Sequence, residues 1–142
     1  MVSPATPNKD QAEVVLVGCG CPLRGMGWYH AVQMLGDRVP HAKLCHVVEG
    51  WFLGPGATGP GGKEFSEFQK QTEEEHGVAF HKSLADLPPV PEGVKRLALI
   101  SGRTADNPRL LSEATKVRYF VITNNCDDIR TTCRCLSLID NT

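Results

Sequence analysis

The stretch Glu13-Val14-Val15-Leu16-Val17-Gly18-Cys19-Gly20, continued by Gly25-Met26-Gly27-Trp28-Tyr29-His30-Ala31-Val32-Gln33-Met34-Leu35-Gly36, decides the fold. Its first half is short, β-branched and apolar without alternation, and it stops at a glycine, as a strand buried on both faces of a parallel sheet does. Its second half puts Trp28, Ala31, Val32 and Leu35 at helical spacing and ends on Gly36, the residue type that closes helices. The pattern predicts a strand over 13–18 and a helix over 28–35. Lys43-Leu44-Cys45-His46-Val47-Val48 then reads as a second apolar strand, closed by Glu49. Strand, helix and parallel strand in so few residues form the smallest unit that holds a mononucleotide.

Outward from this unit, Gly50 to Gly62 hold six glycines and two prolines, which predicts a long loop. Lys63 to Gly77 is charged except for Phe65 and Phe68, three apart, and predicts a surface helix pinned by two aromatics. Val78 to Phe80 is a short strand, and Ser83 to Leu87 a single helical turn ended by Pro88 and Pro89. Arg96 to Ser101 is another strand of the buried type. Pro108 to Thr115 is a helix with Asp106 or Asn107 as its N-cap and Pro108 at its first position. Tyr119 to Thr123 is the last strand. The alternation predicts an α/β fold, a Rossmann-like open parallel sheet with helices on both faces over residues 13–123. Residues 1–12 read as a flexible N-terminal segment, and 124–142, with little periodicity, as an atypical C-terminal tail.

At 142 residues the chain is one domain's worth by the prior of roughly 100–200 residues per domain. Fifteen Lys+Arg against sixteen Asp+Glu, intermixed, leave no electrostatic footprint for phosphate backbones or anionic lipid, so neither nucleic acid nor membrane is an expected partner. The first residues lack the apolar core of a signal peptide, and the expected location is cytoplasmic. Cys19, Cys21 and Cys45 lie in apolar or glycine-rich segments and are read as reduced thiols.

The chemistry concentrates between the first strand and the first helix. A pyrophosphate needs backbone N–H groups with no side chain in the way and the positive end of a helix dipole beneath it. Gly18, Gly20, Gly25 and Gly27 supply the first and the helix start the second. The interval from Gly20 to Gly27 is about four residues longer than in the usual G-x-G-x-x-G. Arg24, inside the turn, has the reach to meet a phosphate, including a 2′-phosphate. Glu49 ends strand two, 22 residues after Gly27, close to the ~20 at which an acidic residue accepts hydrogen bonds from the adenosine ribose. That carboxylate favours NAD over NADP; Arg24 pulls the other way. Each feature has a plainer reading, a structural turn for the glycines and a solvated strand end for Glu49. The C-x-C of Cys19 and Cys21 at a helix N-terminus invites a redox role, although it is not the C-x-x-C of thiol oxidoreductases. His41, His46, His76, His81 and the cysteines show no paired zinc spacing, so no metal ligands are assigned. His46 reads as a strand side chain bonding a neighbour.

These residues resemble a family. Gly18-x-Gly20, then Gly27-Trp28-Tyr29-His30 and Leu35, is similar to the G-x-G-x-x-G-x-x-H-x-x-x-L opening of the Gfo/Idh/MocA oxidoreductases, with an insertion between the second and third glycines. Ala85-Asp86-Leu87 resembles the family's short turn before its fourth strand, and Leu97 to Pro108 its fourth-strand segment. The resemblance implies that Ser101, Gly102 and Arg103 lie near the pyrophosphate or nicotinamide ribose, and that the reaction is hydride transfer on a sugar- or polyol-like substrate. The family's Glu-Lys-Pro after strand five is replaced here by Asn124-Asn125-Cys126, and its second domain has no residues to build it. No catalytic residue is therefore assigned. Two expectations stand: an NAD(P)-dependent oxidoreductase to which this chain contributes the nucleotide site, or a non-catalytic dinucleotide-binding module or truncated product. An exposed sheet edge makes a homo-oligomer an expected form.

Overall fold

Val14, Val15, Leu16 and Val17 are all buried because β1 (Ala12–Val17) lies at the centre of the sheet. Residues 2–116 and 120–123 are described by the structure, a computed structural model. β1 is flanked by β2 (Ala42–Val48) and β4 (Arg96–Ile100), and these in turn by the edge strands β3 (Ala79–His81) and β5 (Phe120–Thr123). All five strands are parallel, in the order β3-β2-β1-β4-β5. The chain winds outward one way from β1 to β3 and then crosses to β4, so the order reverses at the carboxyl ends of β1 and β4. A crevice at such a reversal is where ligands bind in open α/β sheets. The α/β, Rossmann-like expectation holds.

The helices cover the two faces. On one face, α1 (Met26–Leu35) packs Ala31 and Met34 onto Val14, Leu16, Leu44 and Val47, with Phe68 of α2 (Gly62–His76) beside them. On the other face, Leu111 and Ala114 of α3 (Asn107–Lys116) and Leu84 of a 3₁₀ turn meet Val15, Val17, Val48, Ala98 and Ile100. The side of α1 turned to the sheet is Gly27, Ala31 and Met34, whereas Val32, expected inside, is 38% exposed. The reason is close approach: small residues at one helical spacing let the backbone settle onto the strands, which rotates Val32 outward.

One irregularity redirects a side chain. Val14 pairs with Leu44 but Val15 with His46, so Cys45 is the extra residue of a β-bulge in β2. Leu44 thereby faces α1 while His46 faces the opposite layer, where Glu13 lies. Residues 50–61 are a series of turns, in line with the long loop expected over 50–62, whose last residue opens α2. Beyond them Phe65, 1% exposed, stacks on Phe52 (ring centroids 5.2 Å apart) and receives Phe80 edge-on at 5.9 Å. Gly77 closes α2 in the left-handed conformation. Its carbonyl accepts the Ala5 N–H at 2.9 Å, which ties down part of the N-terminal segment read as flexible. The tail expected over 124–142 lies outside the described residues.

Phe65 joins the loop after β2 to the edge strand β3. Phe65→Ala is expected to lower unfolding free energy by about 3–5 kcal/mol, measured as the shift of the urea midpoint at unchanged slope.

Candidate functional site

The bend after β1 is made of backbone packed against backbone. Gly18 has φ +80°, and a Cβ there would lie 2.5 Å from the Gly102 Cα. The Ser101 N–H donates to the Val17 carbonyl at 2.7 Å, which closes β4 onto the same bend. Gly27 sits in the first turn of α1, and a Cβ on it would stand 2.3 Å from the Gly18 carbonyl oxygen. These two glycines allow the strand, the helix start and the loop after β4 to meet at one point.

Gly20 is different. Its φ is +72°, yet a Cβ there would find only Gly25, at 3.4 Å. Space is therefore open above Gly20, and the α1 N-cap, Gly25, makes no side-chain capping bond. A left-handed glycine under open space, beside an uncapped helix N-terminus, is a cradle suited to an anion. In the three-glycine division of labour, Gly18 makes the tight turn, Gly20 allows close approach and Gly27 packs helix on strand. Arg24 is exposed inside the turn, where the Leu23 backbone is also left-handed at φ +65°. Arg103 is exposed after Gly102.

Glu49 is neither solvated nor turned outward. It is 6% exposed, and its Oε2 accepts the Gly20 N–H at 2.9 Å while Oε1 accepts Trp51 N–H at 3.1 Å and Phe52 N–H at 3.5 Å. The carboxylate thus ties the glycine turn to the loop after β2, and the Glu49 N–H in turn donates to the His81 carbonyl at 2.9 Å. Sequence spacing found Glu49 but not this clamp. A strand-end acid followed by Trp-Phe and a glycine-rich turn is consistent with a carboxylate capping its own loop, through Asx-like bonds to the following amides.

Burial holds two of the thiols protonated. Cys19 is fully buried, and burial first, then the Glu49 and Cys21 neighbours, pushes its thiol up to about 12. At Cys19 desolvation outweighs the helix dipole, against the expectation of a thiolate there. Burial, together with Glu13, likewise pushes Cys45 up to about 11 against the opposing Lys43 and Arg96 charges. Cys19, Cys21 and Cys45 are free of disulfides. His30, on α1, is half-buried.

The structure therefore brings Gly18, Gly20, Gly25, Gly27, Glu49, Ser101 and Gly102 to the carboxyl ends of β1, β2 and β4, with Arg24 and Arg103 on the adjoining loops. No known family's sequence model and no curated protein matches the chain. A solved structure does: the WlbA dehydrogenase of Chromobacterium violaceum in complex with NADH and UDP-GlcNAcA, at 17% identity and a TM-score of 0.57. The match covers 99% of this chain and 35% of that one. The likeness is one of fold. It places the five strands and three helices in the Rossmann-like class. Among the described residues no helix is long and apolar enough to cross a membrane.

Glu49→Ala leaves the Gly20, Trp51 and Phe52 N–H groups without their acceptor, and is expected to destabilise the protein by about 1–3 kcal/mol. In hydrogen exchange, the Gly20 and Trp51 amides should lose protection before the core amides of β1 do.

Proposed function

We propose that this chain is the NAD(P)-binding unit of a Gfo/Idh/MocA-like oxidoreductase, acting by hydride transfer on a sugar- or polyol-like substrate. The observation that carries the reading is the open cradle at Gly20: a positive-φ glycine with room above its Cα, at the uncapped start of α1 and at the sheet's reversal point. A neighbour of the same fold holds NADH. The residues fit a dinucleotide. The start of α1 at Gly25 would hold the pyrophosphate with its backbone N–H groups and helix dipole, and Gly20, whose own N–H is held by Glu49, would give it room. Glu49, already engaged by the Gly20, Trp51 and Phe52 amides, would meet the adenosine ribose only through its remaining lone pairs, and its buried negative charge would favour NAD over a cofactor with a 2′-phosphate. Ser101, Gly102 and Arg103 would border the pyrophosphate or nicotinamide ribose, and Arg24 would reach a phosphate.

When bound, the nicotinamide supplies hydride donation or acceptance. This chain's residues bind and orient: the glycines admit the phosphates, and Glu49 fixes the height of the turn relative to the loop after β2. No residue of the chain is assigned the proton transfer that accompanies hydride transfer. That gap favours a second reading, a dinucleotide-binding module without turnover. Asn124-Asn125-Cys126 stand where the resembled family has Glu-Lys-Pro, and an amide has no ammonium to offer.

Titration with NADH and NADPH, followed by nicotinamide fluorescence, tests both readings. Saturable binding with tighter NADH is expected, and oxidation of NADH by candidate carbonyl sugars separates enzyme from module. Gly20→Ala puts a methyl group in the cradle and costs about 1–2 kcal/mol of left-handed strain. It should abolish binding while the circular dichroism spectrum is unchanged. Unaltered affinity in that variant would place the nucleotide elsewhere.

A further inference from the structure

A second polar cluster crosses the sheet on the α3 side and ends beside the glycine turn. Arg96 of β4 and Glu13 of β1, each 3% exposed, form an ion pair with Nη2 to Oε1 at 2.7 Å. The same Glu13 oxygen is 2.7 Å from His46 Nε2, and His46 Nδ1 is 3.1 Å from His81 Nε2. The row climbs from the amino-terminal ends of β4 and β1 to the last residue of β3. There the His81 carbonyl accepts the Glu49 N–H, and the Glu49 carboxylate holds the Gly20 N–H.

Chemistry fixes the direction of these bonds. Glu13 only accepts, so His46 Nε2 donates, and a neutral His46 then presents Nδ1 as an acceptor to the His81 Nε2–H. One proton can be added at His81 Nδ1 without disturbing the row. A second leaves two N–H donors facing each other 3.1 Å apart, and the contact must open. The groups facing the pair are Glu13 from β1, Arg96 from β4 and Asp86 from the 3₁₀ turn after β3. Burial, Arg96 and the neighbouring imidazole hold His46 below its ordinary 6.5 against the pull of Glu13. Burial and Arg96 lower His81 against Asp86. β3 is the element able to respond, being an edge strand of three half-buried residues.

We propose that the His46–His81 pair is a proton-operated latch on the nucleotide site: a second proton breaks the imidazole contact, frees the end of β3 and loosens the Glu49 hold on the glycine turn, lowering affinity for the dinucleotide. The latch rests on the nucleotide reading above for its effect on affinity, but not for its effect on the turn. Its sign follows from linkage. Both groups bind protons more weakly in the folded chain than unfolded, so stability and closure are complete above the ordinary 6.5. Both decline as pH falls from there through the lowered folded values.

The test compares the wild-type chain with His81→Gln, whose amide keeps a donor toward His46 without titrating, and with Asp86→Asn, which removes the carboxylate that draws a proton to His81. NADH affinity of the wild type should fall at least about fivefold between about pH 7.5 and about pH 5.5. His81→Gln should match the wild type at the upper pH and lose the fall, and Asp86→Asn should move its midpoint to lower pH. In the ligand-free protein, amide nitrogen-15 shifts of Gly20 and Glu49 should follow the second imidazole protonation, the one read on the His46 ring, and stay still in His81→Gln. A pH-independent wild-type affinity, or the same fall in His81→Gln, overturns the latch. If NADH binds at no pH, the nucleotide reading is lost, and the amide shifts alone decide: a midpoint shared with the second imidazole protonation, on the His46 ring, upholds the latch on the turn, and unmoving amides overturn it.

Discussion

The contact of Gly18 with Gly102 and Gly27 is the constraint on which the rest of the site depends. Three chain segments, the end of β1, the loop after β4 and the first turn of α1, approach within backbone contact there, and a Cβ on Gly18 or Gly27 would fall inside 3.0 Å of backbone atoms. Close packing of this kind fixes the axis of α1 relative to the sheet, and so fixes where its dipole points. A Cβ at Gly20, by contrast, would meet only Gly25, in ordinary contact at 3.4 Å. A loosely packed turn of equal glycine content would have no defined cradle.

Two buried carboxylates organise the sheet from opposite ends, each by a different physics. Glu13 is compensated by charge and imidazole, through Arg96 and His46. Glu49 is compensated by peptide dipoles, through the amides of Gly20, Trp51 and Phe52. Burying either side chain without those partners would cost several kcal/mol. The partners come from two strands, β4 and β2, in the first case and from two loops in the second, so each carboxylate welds together segments distant in sequence. β3 lies between the two systems, giving its His81 side chain to one and its carbonyl to the other.

Much of this was legible along the chain. The apolar, non-alternating runs located β1, β2 and β4, because a strand covered on both faces has no polar side to show. Gly36 and Gly77 marked helix ends, since capping is a local matter of φ and unpaired backbone groups, while α3 begins at Asn107, one residue before the Pro108 expected to open it. The site was partly legible: the glycines and Glu49 stand at informative spacing, and the fold brings them together. The inward face of α1 was misread at Val32 because periodicity alone gives two apolar stripes equal weight, and close approach through Gly27 and Ala31 chose between them. The bulge at Cys45 left no signal, and without it His46 would point toward α1 rather than toward Glu13.

By itself, then, the sequence determined the element order, the parallel sheet and the position of the glycine turn, all of which follow from local conformational preference and the burial pattern of short segments. Only the tertiary structure decided that Glu49 holds the turn through the Gly20 N–H, that burial pushes the Cys19 thiol up, and that Arg96, Glu13, His46 and His81 form one row. Those outcomes depend on strand register and on desolvation, which are set by residues 29 to 83 positions apart. Neither quantity is written in any window of the chain.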